Sequence, residues 1–245
     1  MRGFILDIQG TLIDDKDYKP IEGAVEFVDY LNKNSIPFIF LTNNTKRDSK
    51  EFIKYLKSLG FNFKHYLDPL MMLDDLIDKS VVAYGNKEFI EIVEKRFNIN
   101  KNNPDYVIVG LKLYSCDEIA EIIEYVLNGA KLIGMHKTSL YHKNSKRYPG
   151  LGAILEMIKY STNKDYIVLG KPSKLFFNKA KEILDLDFKD LTFISDDLIG
   201  DLLPAKELGI RSVLVLSGKI KSTKEFNVNE IEIYKSIKEF FEEIK

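Results

Sequence analysis

Short apolar runs alternate with amphipathic helical patterns along this chain, and the alternation limits its fold more than any other feature of the sequence. The runs FILD at 4–7 and PFIFLT at 37–42 are each followed by a segment whose apolar residues recur at a helical period. Strands that alternate with helices form parallel sheets through βαβ units. The alternation therefore argues against a β-sandwich and against a helical bundle. The sequence therefore predicts an α/β fold with a doubly wound parallel sheet.

The strands and helices fall into two groups along the chain. The outer group contains the first two apolar runs and three runs near the C-terminus, which predicts one core domain at 1–79 and 166–245. Residues 80–165 have their own alternation of strands and helices and are predicted to form an inserted α/β cap domain. The last helix is predicted over 229–244.

Composition excludes several classes of function. The 36 basic and 37 acidic residues leave a net charge of -1, so no global charge favours nucleic acid or an anionic membrane. The single cysteine, Cys116, excludes an intramolecular disulfide, and no apolar stretch approaches the roughly 20 residues that a membrane span needs. We therefore expect a cytoplasmic protein that binds neither nucleic acid nor a membrane.

Polar residues follow four of the outer apolar runs. They are Asp7, Thr42, Lys171 and the pair Asp196 and Asp197. The carboxyl ends of the strands in an open parallel sheet share one edge, and ligands bind in the crevice there. These side chains are therefore predicted to meet in space, although they are far apart in the sequence.

This set of side chains favours a phosphate site with a metal ion. Carboxylates at Asp7, Asp196 and Asp201 would repel one another unless a cation lay among them. Oxygen ligands select a hard divalent ion, and Mg²⁺ is common where phosphate is also a ligand. Lys171 and Thr42 add a positive charge and a hydroxyl group for phosphate. Asp7 is then the predicted nucleophile, which forms an aspartyl-phosphate that water later hydrolyses.

Four segments resemble, in the correct order, the four motifs of the haloacid dehalogenase superfamily of phosphatases. They are DIQGT, LTNNT, VLGKPS and ISDDLIGDL. The middle segments NPDYVIVG and GAKLIGMHK resemble the large α/β cap of subclass IIA, which contains nucleotide-sugar and p-nitrophenyl phosphatases. DIQGTL, SDDLIGD and IGMHKTSLYH are most similar to the branch of phospholysine phosphohistidine inorganic pyrophosphate phosphatase. The resemblance implies a Rossmann-like core with an inserted cap, and a homodimer paired through the caps.

The resemblance also implies roles for individual residues. Asp7 would be nucleophile and metal ligand, and the main-chain carbonyl of Gln9 a second ligand. Asp196 and Asp201 would complete the Mg²⁺ shell. The residues implied to hold the phosphate or the substrate are Thr42, Asn43, Asn44, Lys171 and His136.

Gln9 departs from the family pattern, which has an aspartate that protonates the leaving group and then activates water. Glutamine can do neither, and a general acid–base contributes roughly 10²–10⁴-fold. Two compensations are open: substrates with good leaving groups, such as phosphoramidates or pyrophosphate, or a proton from His136 or His142 of the cap. Ser195 stands where relatives have glycine, and nothing in the sequence explains it.

The predicted function is Mg²⁺-dependent hydrolysis of a small phosphorylated compound. A second hypothesis is a module that binds Mg²⁺ and phosphate but turns over negligibly and acts as a sensor or partner subunit. A dinucleotide-binding protein is disfavoured because no G-x-G-x-x-G follows the first strand. An alternative role for Asp197 is to cap the helix that is predicted to begin near Leu202.

Overall fold

The computed structural model describes residues 3–143, 146–222 and 231–245, without the side chains of 142 and 143. The strands in this part of the chain are β1 (Gly3–Leu6), β2 (Phe38–Leu41), β3 (His65–Leu67), β4 (Ser80–Tyr84), β5 (Asn98–Ile99), β6 (Tyr106–Val109), β7 (Lys131–Gly134), β8 (Leu140–Lys143), β9 (Lys146–Pro149), β10 (Tyr166–Val168), β11 (Leu191–Ser195), β12 (Arg211–Val215) and β13 (Glu232–Tyr234). The α-helices are α1 (Ala24–Lys33), α2 (Ser49–Ser58), α3 (Lys87–Arg96), α4 (Cys116–Leu127), α5 (Leu151–Thr162), α6 (Lys174–Leu184), α7 (Leu203–Glu207) and α8 (Ile237–Ile244).

The chain divides into two compact units. The first consists of Met1–Thr42, Lys50–Leu67 and Phe177–Lys245, and the second of Asn43–Ser49 and Asp68–Phe176. The domain boundaries predicted at 79/80 and 165/166 stay a prediction.

The first unit is built on a six-stranded sheet with the order β13-β12-β11-β1-β2-β3. Every neighbouring pair in it is parallel. The chain builds outward from β1 in one direction and returns on its other side through β11, so the strand order reverses between β1 and β11. Ligands of open parallel sheets bind at such a reversal, outside the carboxyl ends of the strands. The predicted α/β fold with a doubly wound sheet is confirmed.

Phenylalanine rings attach the C-terminal helix to this sheet. Phe4 of β1, Phe27 of α1 and Phe240 of α8 meet edge to face, with ring centroids 5.5 to 6.2 Å apart. Tyr234 of β13 packs on Phe240 in the same manner at 5.2 Å. Edge-to-face pairs add to the stabilisation that burial of the rings already provides.

Replacing Phe240 with alanine is expected to lower the free energy of unfolding by about 3–5 kcal/mol, because the buried ring leaves a cavity among three aromatic neighbours. Urea denaturation of the purified protein measures the loss. Phe241→Ala is the matched control: this neighbouring ring is only partly buried, so its removal should cost less. Equal losses for the two variants would contradict the packing argument.

The second unit has its own parallel sheet and its own core. The five strands have the order β10-β7-β6-β4-β5, and the helices α3, α4 and α5 belong to the same unit. α4 begins with a capping box between Ser115 and Glu118, which satisfies main-chain N–H groups at the helix start. β8 and β9 form a separate antiparallel hairpin, on which Tyr141 stacks against Tyr148.

Strand β10 corrects one prediction. The sequence analysis placed the run before Lys171 in the same sheet as the strand before Asp7. β10 instead pairs with β7 of the five-stranded sheet, with Tyr166 opposite Leu132. It is an edge strand with Ile167 exposed, whereas β1 and β2 are buried throughout. An apolar run predicts a strand, but it does not specify the partner with which that strand pairs.

The C-terminal helix is shorter than predicted. Strand β13 occupies 232–234 and α8 begins at Ile237, so the predicted helix is wrong before that residue; positions 229 and 230 lie outside the described residues. Within the described ranges, none of the helices combines the length and the apolar character that crossing a membrane requires.

Candidate active site

Asp7 lies at the carboxyl end of β1, where the strand order of the first unit reverses. Its main-chain N–H donates to the carbonyl of Ile194 at 3.0 Å, which continues the ladder between β1 and β11 by one residue. The carboxylate is buried and accepts a hydrogen bond from the hydroxyl of Thr11 at 3.4 Å. Gly10 has a φ of 77°, a left-handed conformation that lets the chain turn back after Asp7. The nucleophile candidate is therefore fixed by its own loop.

Asp196 follows β11, the strand next to β1, and is buried as well. Its Oδ2 accepts a hydrogen bond from the main-chain N–H of Lys219. Burial, and next the negative charge of Asp7, raise the pKa of Asp196 from 3.8 to about 8, although the Lys219 N–H works in the opposite direction. At neutral pH this carboxyl group therefore retains a proton unless a cation replaces it.

These residues fit one hard divalent cation. Asp7 and Asp196 offer carboxylate oxygens, and a cation would relieve the repulsion between the buried carboxylates. The main-chain carbonyl of Gln9 as a further ligand stays a prediction. Among the described residues, no group of three or more His, Cys, Asp or Glu side chains forms a metal cluster. The direct role of Asp201 as a ligand stays a prediction.

Gln9 and Thr42 are brought together in the first unit. The hydroxyl of Thr42, directly after β2, donates to Oε1 of Gln9 at 2.8 Å. In the described part of the chain, the side-chain nitrogen of Gln9 has no hydrogen-bond partner, and it is not a buried atom. The hydrogen bond to Oε1 therefore orients the amide of Gln9, and its N–H groups remain available to donate to a ligand.

Asp201 lies in a turn of π-helical form at Leu198–Leu202, and Asp197 directly precedes this turn. Oδ1 of Asp197 accepts the N–H of Gly200 at 2.8 Å, so Asp197 caps this turn and not, as predicted, the helix that follows at Leu203. Asp201 is buried, and its Oδ2 accepts a hydrogen bond from the hydroxyl of Ser195 at 2.7 Å.

Asn43 and Lys171 are brought together in the second unit. The N–H of Lys171 donates to Oδ1 of Asn43 at 2.8 Å, and Nδ2 of Asn43 donates back to the carbonyl of Lys171 at 3.4 Å. A Cβ on Gly170 would come within 2.5 Å of Oδ1 of Asn43, so the preceding position accommodates only glycine. Lys171 is buried, with 3% of its surface exposed. Their predicted contact with phosphate stays a prediction.

Asn44 and His136 have local partners in the same unit. Asn44 bonds to its own loop: Oδ1 accepts the N–H groups of Lys46 and Arg47, and Nδ2 donates to the carbonyl of Arg47 at 2.7 Å. His136 is buried, and its Nδ1 accepts the N–H of Thr138 at 3.4 Å. Substrate contacts by both residues stay predictions. The side chain of His142, the other proposed proton donor, lies outside the described residues.

The loop after β12 was missed by the sequence analysis. Ser217 donates to the carbonyl of Gly10 at 2.7 Å, and the side chain of Lys219 pairs with Asp197. A Cβ on Gly218 would collide with Oδ2 of Asp196 and with Cα of Gly10. The rule that ligand sites form at the carboxyl ends of parallel strands could have indicated this loop, because it follows the apolar run ending at 216.

Two models of known protein families match the sequence of this chain. The sequence model of the haloacid dehalogenase-like hydrolases matches residues 4–96, and a second model, described as HAD-hydrolase-like, matches 168–239. This chain belongs to the haloacid dehalogenase-like hydrolases. The matched ranges contain Asp7, Thr42, Lys171, Asp196 and Asp201, whereas the predicted substrate contact His136 lies between them.

Proteins of several organisms are similar to this chain over most of its length. An acid sugar phosphatase of Staphylococcus saprophyticus is 27% identical over 89% of this chain and 87% of its own length. Haloacid dehalogenase-like hydrolase domain-containing protein 2 of Mus musculus is 27% identical over 94% and 89%.

Several solved structures share the fold of this chain. NagD from E. coli K-12 has a TM-score of 0.77 at 25% identity and covers 98% of both chains. The p-nitrophenyl phosphatase from Archaeoglobus fulgidus has a TM-score of 0.83 at 24% identity, over 99% of this chain and 98% of its own. The predicted family and subclass are confirmed. The phospholysine phosphatase branch, the cytoplasmic location and a homodimer through the caps stay predictions.

Proposed function

We propose that this haloacid dehalogenase-like hydrolase is a Mg²⁺-dependent phosphatase of small phosphorylated compounds that acts through an aspartyl-phosphate on Asp7. The observation that carries the proposal is the burial of Asp7 and Asp196 at adjacent strand ends, where burial, and next the negative charge of Asp7, raise the pKa of Asp196. A divalent cation would offset the negative charge of these two carboxylates, and it would in turn attract an anionic phosphate group. The names of the relatives, acid sugar phosphatase and p-nitrophenyl phosphatase, support phosphate esters as the substrate class.

The chemistry divides between binding and attack. Asp7, Asp196 and the Gln9 carbonyl would hold Mg²⁺, which supplies positive charge against the phosphate oxygens. A carboxylate oxygen of Asp7 attacks phosphorus, and the bond from phosphorus to the leaving group breaks. Water then attacks the phosphorus of the aspartyl-phosphate, which releases phosphate and restores Asp7. Thr42, Asn43 and Lys171 are assigned to hold the phosphate oxygens.

Gln9 determines which leaving groups depart easily. Its oxygen is occupied by Thr42, and its amide nitrogen can donate a hydrogen bond but cannot give up a proton. Leaving groups that depart without prior protonation, such as an aryloxide or a phosphate from pyrophosphate, are therefore favoured over alkoxides. Phosphoramidates also need no proton from the enzyme, because solvent can protonate their nitrogen before the P–N bond breaks. A proton from His136 would be the alternative supply.

Replacing Gln9 with aspartate is expected to raise kcat/KM for an alkyl phosphate by about 100-fold or more, because a general acid then protonates the alkoxide. The ratio of kcat/KM for an alkyl phosphate to that for p-nitrophenyl phosphate is the measurement. Gln9→Asn is the matched control, since it has the length of aspartate without its proton. If Gln9→Asp and Gln9→Asn hydrolyse the alkyl phosphate equally slowly, the missing-acid argument is wrong.

The test of the function is phosphate release from p-nitrophenyl phosphate by the purified protein, with MgCl₂ or with EDTA. Release with MgCl₂ that EDTA abolishes is the expected result. Gln9 also favours a second candidate, the binding module without turnover, since glutamine provides no acid or base. That module would bind Mg²⁺ and inorganic phosphate in a calorimeter while releasing no phosphate from pyrophosphate, from acetyl phosphate or from the aryl ester.

A further inference from the structure

The hydroxyl of Ser195 is buried at the end of β11, and both of its hydrogen-bonding directions are used. Ser195 has no exposed surface. Its Oγ donates to Oδ2 of Asp201 at 2.7 Å and accepts the main-chain N–H of Asp197 at 3.1 Å. A hydroxyl has one proton, and here that proton goes to the carboxylate.

The turn after Ser195 brings Asp201 back to the end of its own strand. The N–H groups of Asp201 and Leu202 both donate to the carbonyl of Asp197, at 3.2 and 3.1 Å. The main chain therefore closes the turn, and the Ser195 hydroxyl connects the carboxylate inside it to β11. Asp201 is 4% exposed, and its charge is one of those that act on Asp196. A carboxylate so placed contributes to the field at the cation site without needing to touch the cation.

We propose that Ser195 is a positioning residue that fixes the carboxylate of Asp201 beside the cation site formed by Asp7 and Asp196. The inference rests on the proposed function, because it assigns Ser195 to the same Mg²⁺ site. Groups that orient the carboxylates around a metal from outside typically change metal affinity by about 10–100-fold when they are removed. Ser195 acts through Asp201, so its effect should disappear when Asp201 no longer carries charge.

A matched control is available on the neighbouring strand β12. The hydroxyl of Ser212 is also buried, but the acceptors for its proton are the main-chain carbonyls of Leu202 and Ile210, at 3.1 and 3.3 Å, and no carboxylate of the described residues. Ser195→Ala and Ser212→Ala both remove one buried hydroxyl, so both should lower Tm. Only the first removes a donor from an acidic side chain.

The experiment is calorimetric titration of the full chain with MgCl₂. We expect Ser195→Ala to bind Mg²⁺ at least about 10-fold more weakly than the parent, and Ser212→Ala to bind as the parent does. In an Asp201→Asn background, adding Ser195→Ala should cause no further loss. Equal losses in both serine variants, or a full loss in the Asp201→Asn background, would overturn the inference. Ser195→Gly removes the same hydroxyl and serves if the alanine variant does not fold.

Binding without substrate separates this inference from the proposed function. If the parent releases no phosphate but the calorimetric pattern appears, the phosphatase proposal fails and the role of Ser195 stands. If the parent is an active phosphatase and Ser195→Ala binds Mg²⁺ as tightly as the parent, the role of Ser195 is refuted and the function stands. A parent that binds no Mg²⁺ refutes both.

Discussion

Replacing Asp7 with asparagine abolishes phosphate release, with an expected fall in kcat/KM of at least about a thousand-fold. Asparagine keeps the size of the side chain but has no anionic oxygen to attack phosphorus. It also removes a buried negative charge next to Asp196, so the loss of activity should not be accompanied by a loss of Tm. Initial rates on p-nitrophenyl phosphate with MgCl₂, and a thermal melt in EDTA, measure the two effects.

Asp29→Asn is the control for this variant. It makes the same chemical change on the exposed side of α1, so it should leave kcat/KM unchanged. Substantial turnover by Asp7→Asn would show that another residue attacks phosphorus, and the assignment of the nucleophile would have to be abandoned.

Replacing Asp196 with asparagine should stabilise the metal-free protein at high pH while removing its response to Mg²⁺. The pKa of Asp196 is raised to about 8 by burial and by Asp7, so the folded protein keeps a proton that the unfolded chain releases near pH 4. Stability contributed by this group is therefore present below about pH 4 and is lost as pH rises toward about 8. Asparagine does not ionise, so the variant lacks this decline.

Melting temperatures across this pH range, in EDTA and in MgCl₂, measure both parts of the expectation. In EDTA the difference in Tm between variant and parent should grow as pH rises, in favour of the variant. In MgCl₂ at pH 8 the parent should gain stability, because the cation replaces the proton, and the variant should gain little. If parent and variant lose stability in parallel between pH 5 and pH 8, Asp196 is not the group responsible.

The site residues of the first unit could be predicted from the sequence because they all follow strands of one parallel sheet. Asp7, Thr42 and Asp196 each come directly after a buried strand, and parallel strands place such residues at one edge. The same rule failed for the strand before Lys171. Its apolar residues are equally compatible with either sheet, and its partner is fixed by long-range pairing that no local pattern contains.

Strand β13 lies where the sequence analysis predicted a helix, although IEIY at 231–234 alternates with the period of a strand; this error came from choosing the wrong period. Two contacts of the site leave no local signature in the sequence. The bond from Ser195 to Asp201 depends on the form of the turn between them, and the bond from Lys219 to Asp196 uses a main-chain group that every non-proline residue has.

The contact between Lys219 and Asp196 determines how freely this corner can change in evolution. Because the donor is a main-chain N–H, substitution of Lys219 by any residue except proline keeps the hydrogen bond to Asp196. Gly218 cannot be replaced in this way, since a Cβ at this position would collide with the carboxylate of Asp196. Sequence variation should therefore be wide at position 219 and almost absent at position 218.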